Sequence, residues 1–320
     1  MSAGAVAALL LRRLAGLLLT LLLASAAIFA ALDVLPGDPA AVRLGTSARP
    51  DTLAAMRAEM GLDRPAPLRY AAWLGGVATG RLGTSTTYGV PVAGLIADRL
   101  AVTMPLALMA VTLSLGAALP LGVAAAGRRG GALDGAAALF AQGATALPNF
   151  WIGLLLILLF AVRLGWLPSG GFPGWGGGAG PALRALCLPA VALALPQAGV
   201  LARVARGAVL DALGEDFIRT ARAKGLFARA VLWRHAVRNA WPAVLTVLGL
   251  QVSFLVGGAV LVETVFALPG LGRLAVQAFA QRDATVVQDV VLLLAALVIA
   301  VNFAVDLAAL ALDPRLRDAP

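Results

Sequence analysis

The chain has 320 residues, of which 61% are hydrophobic and 13% charged, and its mean hydropathy is +0.91. Soluble domains sit near half apolar and a quarter charged, so this balance excludes an ordinary water-soluble fold and points to a bilayer as solvent. The formal charge of +9 does not indicate nucleic acid, because the basic residues stand in short clusters between long apolar runs, which membrane topology explains better.

Six apolar stretches, at about 12–33, 100–126, 132–162, 185–206, 241–262 and 285–312, are long enough to cross roughly 30 Å of hydrocarbon at about 1.5 Å per residue. Each is predicted to be helical, since unpaired backbone groups in lipid are strongly disfavoured. The predicted fold class is therefore an all-α integral membrane protein with six transmembrane helices. In this division, 1–33 is an N-terminal transmembrane helix and 34–99 a small extracytoplasmic subdomain. Residues 100–314 form the transmembrane core, with a cytoplasmic loop at 207–240, and 315–320 is a cytoplasmic tail.

The first stretch has two readings. Arg12-Arg13, the apolar run from Leu14 and the small residues Ala24-Ser25-Ala26 resemble a cleavable secretory signal. Against this, the apolar run continues through Ile28, Phe29 and Leu32 to Asp33, a length suited to an uncleaved anchor. In segment 34–99, Asp51 to Met60 reads as a short amphipathic helix ended by Gly61. Glycines at 75, 76, 80, 83 and 89 punctuate the remainder into turns.

Charge sets the orientation. Arg12 and Arg13 precede the first span, Arg128 and Arg129 separate the second and third, and Arg315 and Arg317 follow the sixth. Between the fourth and fifth lie Arg203, Arg206, Arg219, Arg222, Lys224, Arg229, Arg234 and Arg238. The short opposite loops hold only Arg163, Arg184, Arg273 and Arg282, so the positive-inside rule places both termini in the cytoplasm.

The residue inventory excludes several chemistries. Cys187 is the single cysteine, which rules out an intrachain disulfide and a multi-cysteine metal site. His235 is the single histidine and has no nucleophile beside it in sequence. Lys224 is the single lysine and lies in Ala223-Lys224-Gly225, so no GxxxxGK[ST] phosphate loop exists. No catalytic, cofactor or metal site is predicted, and if nucleotide energy drives this protein, another chain supplies it.

The most informative stretch runs from Gly214 to Gly225. Glu215 and Asp216 stand where a helix N-terminus favours anions, and Arg222 and Lys224 in the last turn, where cations are favoured. Gly225 is placed to take the left-handed position that closes the helix. Phe217, Ala221 and Lys224 share one face, which Ile218, Ala221 and Gly225 overlap. Such a narrow apolar face fits either a groove on a partner protein or the lipid headgroups.

The motifs in order carry a resemblance. They are Leu35-Pro-Gly-Asp-Pro39, Gly61-Leu-Asp-Arg-Pro65, Trp73-Leu-Gly75, Leu82-Gly-Thr-Ser85, Pro148-Asn-Phe-Trp151 and Leu164-Gly-Trp-Leu-Pro168. There follow Arg219-Thr-Ala-Arg-Ala-Lys-Gly-Leu226, His235-Ala-Val-Arg-Asn239, Glu263-Thr-Val-Phe266 and Pro269-Gly-Leu-Gly-Arg273. Together they resemble the first of two permeases of the dipeptide/oligopeptide ABC importer family, which has a type I importer fold. Two positions depart from that pattern: Pro242 lies one residue early, and Ala284-Thr285 replace an aromatic–proline pair.

The resemblance implies a second homologous permease, one or two cytoplasmic ATP-binding subunits that hold ATP and Mg, and an extracytoplasmic solute-binding protein. It also makes the cytoplasmic helix an ATPase-docking element, with Glu215, Asp216, Phe217, Ile218, Thr220, Ala221, Arg222, Lys224, Gly225 and Leu226 as its site residues. The implied solute is a peptide, with nickel, glutathione or sugar as family alternatives. The implied location is the bacterial inner membrane.

Polar residues within the spans are candidates for the pathway or a gate. They are Gln251, Glu263, Asn302 and Asp306. Gln197, like Gln251, has a pore-facing reading, and structural readings stand beside these: an interhelical hydrogen bond for Gln197 and Gln251, a cap for Glu263 and an ion pair for Asp306. Asn149 is read as satisfying backbone freed by Pro148.

Overall fold

The computed structural model describes residues 3–34, 39–45 and 49–312. Leu35 to Asp38 of the first motif, Arg315, Arg317 and the tail 315–320 lie outside the described residues. Among those described, every regular element is helical, and extended chain pairs only at one antiparallel bridge between Thr84 and Pro91. Five single helices are long and apolar enough to cross a membrane: Leu11–Val34, Val92–Gly127, Ala179–Gly214, Ala228–Val265 and Ala284–Val305. A sixth crossing requires a bent pair, Ala132–Ala146 with Asn149–Arg163.

That bend corrects the expectation of one continuous helix over 132–162. The axes turn by 102° at Leu147-Pro148. Proline crowds the residue before it out of the helical region, and Leu147 is accordingly extended at φ −106°, ψ 135°. The chain restarts at once, because the Pro148 carbonyl accepts from the N–H groups of Trp151 (3.0 Å) and Ile152 (3.1 Å).

The chain folds as two compact units, 1–103 with 269–300 and 104–268 with 301–320. The first contains α1 (Ala3–Val34), α2 (Pro39–Leu44), α3 (Pro50–Glu59), α4 (Ala66–Ala78) and the start of α5 (Val92–Gly127). It also takes in α12 (Leu271–Ala280) and most of α13 (Ala284–Leu312). The short helix expected over 51–60 is α3, and Gly61 at φ +66° closes it.

Aromatic contacts tie α4 to α1. Phe29 meets Tyr70 edge-on at 5.5 Å and stacks with Trp73 at 6.3 Å, while the Tyr70 hydroxyl is 2.8 Å from Ser25 Oγ. Arg69 bonds Asp33 at 2.6 Å and lies over the Phe29 ring. Trp73 Nε1 donates to Asp289 Oδ1 at 2.8 Å, which fastens α4 to α13 as well.

Asp283 pins the turn before α13. It is fully buried and accepts from Ser85 Oγ and from the N–H groups of Thr87 (3.1 Å) and Val286 (3.3 Å). Burial alone would raise its pKa, but these hydrogen bonds hold it below the ordinary carboxylate range. A depressed folded pKa stabilises at neutral pH, and that contribution is lost as pH falls through the carboxylate range.

The second unit is built around α8 (Ala179–Gly214), which is buried along most of its length. Against it pack α6 (Ala132–Ala146), α7 (Asn149–Leu156) and α11 (Val237–Val265). Single π-helical segments, Ile157–Arg163 after α7 and Val231–Ala236 before α11, carry the chain into and out of these helices. The early Pro242 lies inside α11, where Thr246 Oγ1 bonds its carbonyl at 3.0 Å.

Close backbone approach, rather than hydrophobic burial, discriminates helix seams in lipid, so small residues mark them. A Cβ on Gly122 of α5 would stand 2.6 Å from the Ala202 carbonyl and 2.9 Å from Ala205 Cβ. One on Gly199 would stand 2.9 Å from the Ala141 carbonyl of α6. The expected outcome for Gly122→Ala is a stability loss of about 1–3 kcal/mol through overpacking. Thermal melting in detergent checks it, with Gly116→Ala, where nothing lies within 4 Å, expected to melt like the parent.

Candidate functional site

The helix expected between the fourth and fifth spans is α9 (Asp216–Ala223). Its two ends follow from local chemistry. Glu215 is extended at φ −73°, ψ 153° and ends α8 while starting α9, with its carbonyl accepting from the Ile218 N–H at 3.1 Å. At the other end Gly225 takes φ +77°. Its N–H bonds the Arg222 carbonyl at 2.9 Å and the Leu226 N–H bonds the Ala221 carbonyl at 3.3 Å, the paired bonds of a Schellman cap.

The faces of α9 differ from a simple groove-filling stripe. Ile218 is fully buried and Ala221 is 4% exposed, both inside this chain's own core. They join Val123 and Ala126 of α5, Val209 and Ala212 of α8, Val231 and Ala236 of the π segment, and Ala240 of α11 in one cluster. Burying an isoleucine is worth about 1.5–3 kcal/mol, so α9 is fixed to the adjoining ends of three long helices. Ile218 and Ala221 are therefore withdrawn from any partner. Glu215, Asp216, Phe217, Thr220, Arg222, Lys224, Gly225 and Leu226 are exposed.

Sequence reasoning missed Phe227, which is 85% exposed immediately beyond the cap and precedes the short helix α10 (Ala228–Ala230). With Phe217 and Leu226 it leaves an apolar edge on a charged helix. The signal was available as an apolar pair directly after the closing glycine. Also unforeseen was the pair of hydrogen bonds from Arg206 to Asp134, the Nη2–Oδ2 one at 2.8 Å, which locks α8 to the first turn of α6. His235 lies in the π segment, where its carbonyl accepts from Asn239 Nδ2 at 2.8 Å.

The candidate pathway residues are scattered. Gln251 is buried on α11, and Asn302 Nδ2 reaches Ser253 Oγ at 3.4 Å. Glu263 is fully buried near the end of α11, and its carbonyl accepts from the Leu268 N–H at 2.8 Å. Asp306 belongs to α13, but its side chain lies outside the described residues. Gln197 was expected to bond across helices, yet its Oε1 is buried with no partner among the described residues. No group of three or more metal-ligating side chains occurs among the described residues.

A cavity of about 610 Å³ opens beside the α6–α7 break, lined by residues of that break, α8 and α11 that include Asn149, Gln197 and Gln251. Asn149 lies against α11 because Gly258 offers no side chain: a Cβ there would collide with the Asn149 amide.

Comparison with known proteins agrees with this architecture. Residues 118–318 match the family described as binding-protein-dependent transport system inner membrane component, and residues 6–107 match the N-terminal part of such components. A probable peptide ABC transporter permease protein of Sinorhizobium fredii is 40% identical, with 96% of this chain and 98% of the relative covered. A putative peptide transport system permease protein of Brucella abortus is 42% identical over 97% and 99%. The glutathione transport system permease protein of Salmonella choleraesuis is 37% identical over 96% and 98%. In fold, the chain is similar to a chain of the inward-facing MetNI methionine ABC transporter, with a TM-score of 0.56, 22% identity, and 68% of this chain and 96% of that one covered. With a family model spanning well over half its length, the chain belongs to the binding-protein-dependent transport system inner membrane components.

Proposed function

We propose that this chain is one of two related permeases of an ATP-driven importer in the bacterial inner membrane, and that its solute is a short peptide. Relatives described above are named as peptide or glutathione permeases, and glutathione is itself a tripeptide, which supports that solute class. The chain has no phosphate-binding loop, so ATP and Mg belong to partner subunits on the cytoplasmic side. A solute-binding protein delivers cargo from the opposite side, where segment 34–99 lies in the positive-inside arrangement. Both termini are then cytoplasmic, and α1 is retained as an anchor, its Ser25 buried against Tyr70.

The observation that carries this reading is the mounting of α9. Its charged, exposed face and the apolar edge of Phe217, Leu226 and Phe227 suit a shallow groove on an ATPase. Its inner face belongs to the core shared by α5, α8 and α11. When ATPases close on ATP, motion of α9 is passed to those helices, and the bundle shifts between inward- and outward-open populations.

Two outcomes are expected. In proteoliposomes holding the full complex, uptake of alanyl-alanine requires the ATPases and the binding protein, whereas uptake persisting without ATPases would contradict the proposal. Gly225→Val introduces a β-branched residue at φ +77°, a strain of about 1–2 kcal/mol in the cap, with open space around it. It is expected to lower ATPase recovery on co-purification while the chain still inserts in the membrane. Undiminished recovery would count against docking through α9.

A further inference from the structure

We infer that the cavity beside the α6–α7 break is a station for the peptide backbone of the solute, with Gln197 and Gln251 as its hydrogen-bonding side chains. This inference rests on the importer reading above and names the chemistry that one part of its path recognises.

Position comes first. Gln197 sits near the middle of α8, about 26 Å along the helix from either end at 1.5 Å per residue, and so at the depth of the hydrocarbon core. The break at Leu147-Pro148 lies near the middle of the bent pair as well. Interrupted helices at membrane depth are tolerated where they line a water-filled or ligand-filled space.

Polarity comes second. Gln197 is 5% exposed, and its Oε1 is buried without a hydrogen-bond partner among the described residues. An amide oxygen left unpaired at this depth is unfavourable unless water or a ligand reaches it. Gln251 is 8% exposed and faces the same cavity from α11, and Asn149 borders it from the start of α7. The cavity, about 610 Å³, is within the size range of small-ligand pockets, roughly 300–1,000 Å³.

The chemical character of the lining then selects the ligand. Among the described residues, those that line the cavity are uncharged, and their polar groups are amides and hydroxyls. Side-chain amides offer one acceptor and a donor group each, the complement of a peptide C=O and N–H. Phe150 and Phe254 supply apolar walls that accept varied side chains without demanding one. A path lined in this way recognises what all short peptides share.

The test uses the complete transporter in proteoliposomes, with alanyl-alanine as the probe. Gln197→Leu and Gln251→Leu are each expected to slow initial uptake about tenfold, the factor that corresponds to one lost hydrogen bond. Gln197→Asn is expected to retain part of the rate, and the second permease is expected to co-purify with every variant. Parental uptake in both leucine variants would overturn this assignment while leaving the importer reading intact. Loss of the second permease from the variants would overturn it too, by placing the cavity at the contact between permeases. If the parent complex imports no alanyl-alanine, the peptide reading fails and this assignment fails with it.

Discussion

The burial of Ile218 and Ala221 beneath α9 is the contact on which the mechanical account depends. These two side chains turn a short, charged helix into part of the membrane body, because their neighbours come from α5, α8 and α11. A helix of eight residues has too little internal cooperativity to hold itself in water. Its persistence comes from that apolar anchor and from the cap at Gly225. The same arrangement divides one small element: the buried face fixes it, and the exposed face is the one proposed to dock an ATPase.

Rigidity behind α9 follows from packing rather than from polar bonds. Gly122 and Gly199 let α5 and α6 approach α8 to backbone contact, and Ala198, Ala202 and Ala205 continue that narrow seam. Lipid supplies no hydrophobic drive between helices, so such close contact is what favours association. Arg206 and Asp134 add a directional tie between α8 and α6 at one end of this seam. The α6–α7 break interrupts the otherwise regular packing, and the cavity that holds Gln197 and Gln251 lies beside it.

Much of this was legible in the sequence. Composition and apolar run length gave the helical membrane fold, because lipid leaves the backbone few alternatives. The chemistry of α9 was readable too: an acidic start, a basic last turn and a glycine stop each have a local physical cause. What could not be read was which face of α9 turned inward, since Ile218 and Phe217 are equally apolar and only tertiary neighbours distinguish them. The bend at Pro148 was underestimated because hydropathy persists through Leu147 into Phe150 and Trp151, masking a change of direction that the proline dictates. The unpaired amide of Gln197 was likewise invisible, since a hydrogen-bond partner is a property of the folded neighbourhood and not of spacing along the chain.

The central claim, that α9 moves as one body with the helices it is anchored to, can be measured directly by pulsed electron paramagnetic resonance. Spin labels at Arg222→Cys and Arg128→Cys, in a Cys187→Ser background within the full complex, would report the distance from α9 to the end of α5. The account expects one narrow distance distribution that stays the same when the ATPases are trapped with a non-hydrolysable ATP analogue. A nucleotide-dependent shift or broadening of that distribution would mean that α9 swings on its own, and would contradict the account.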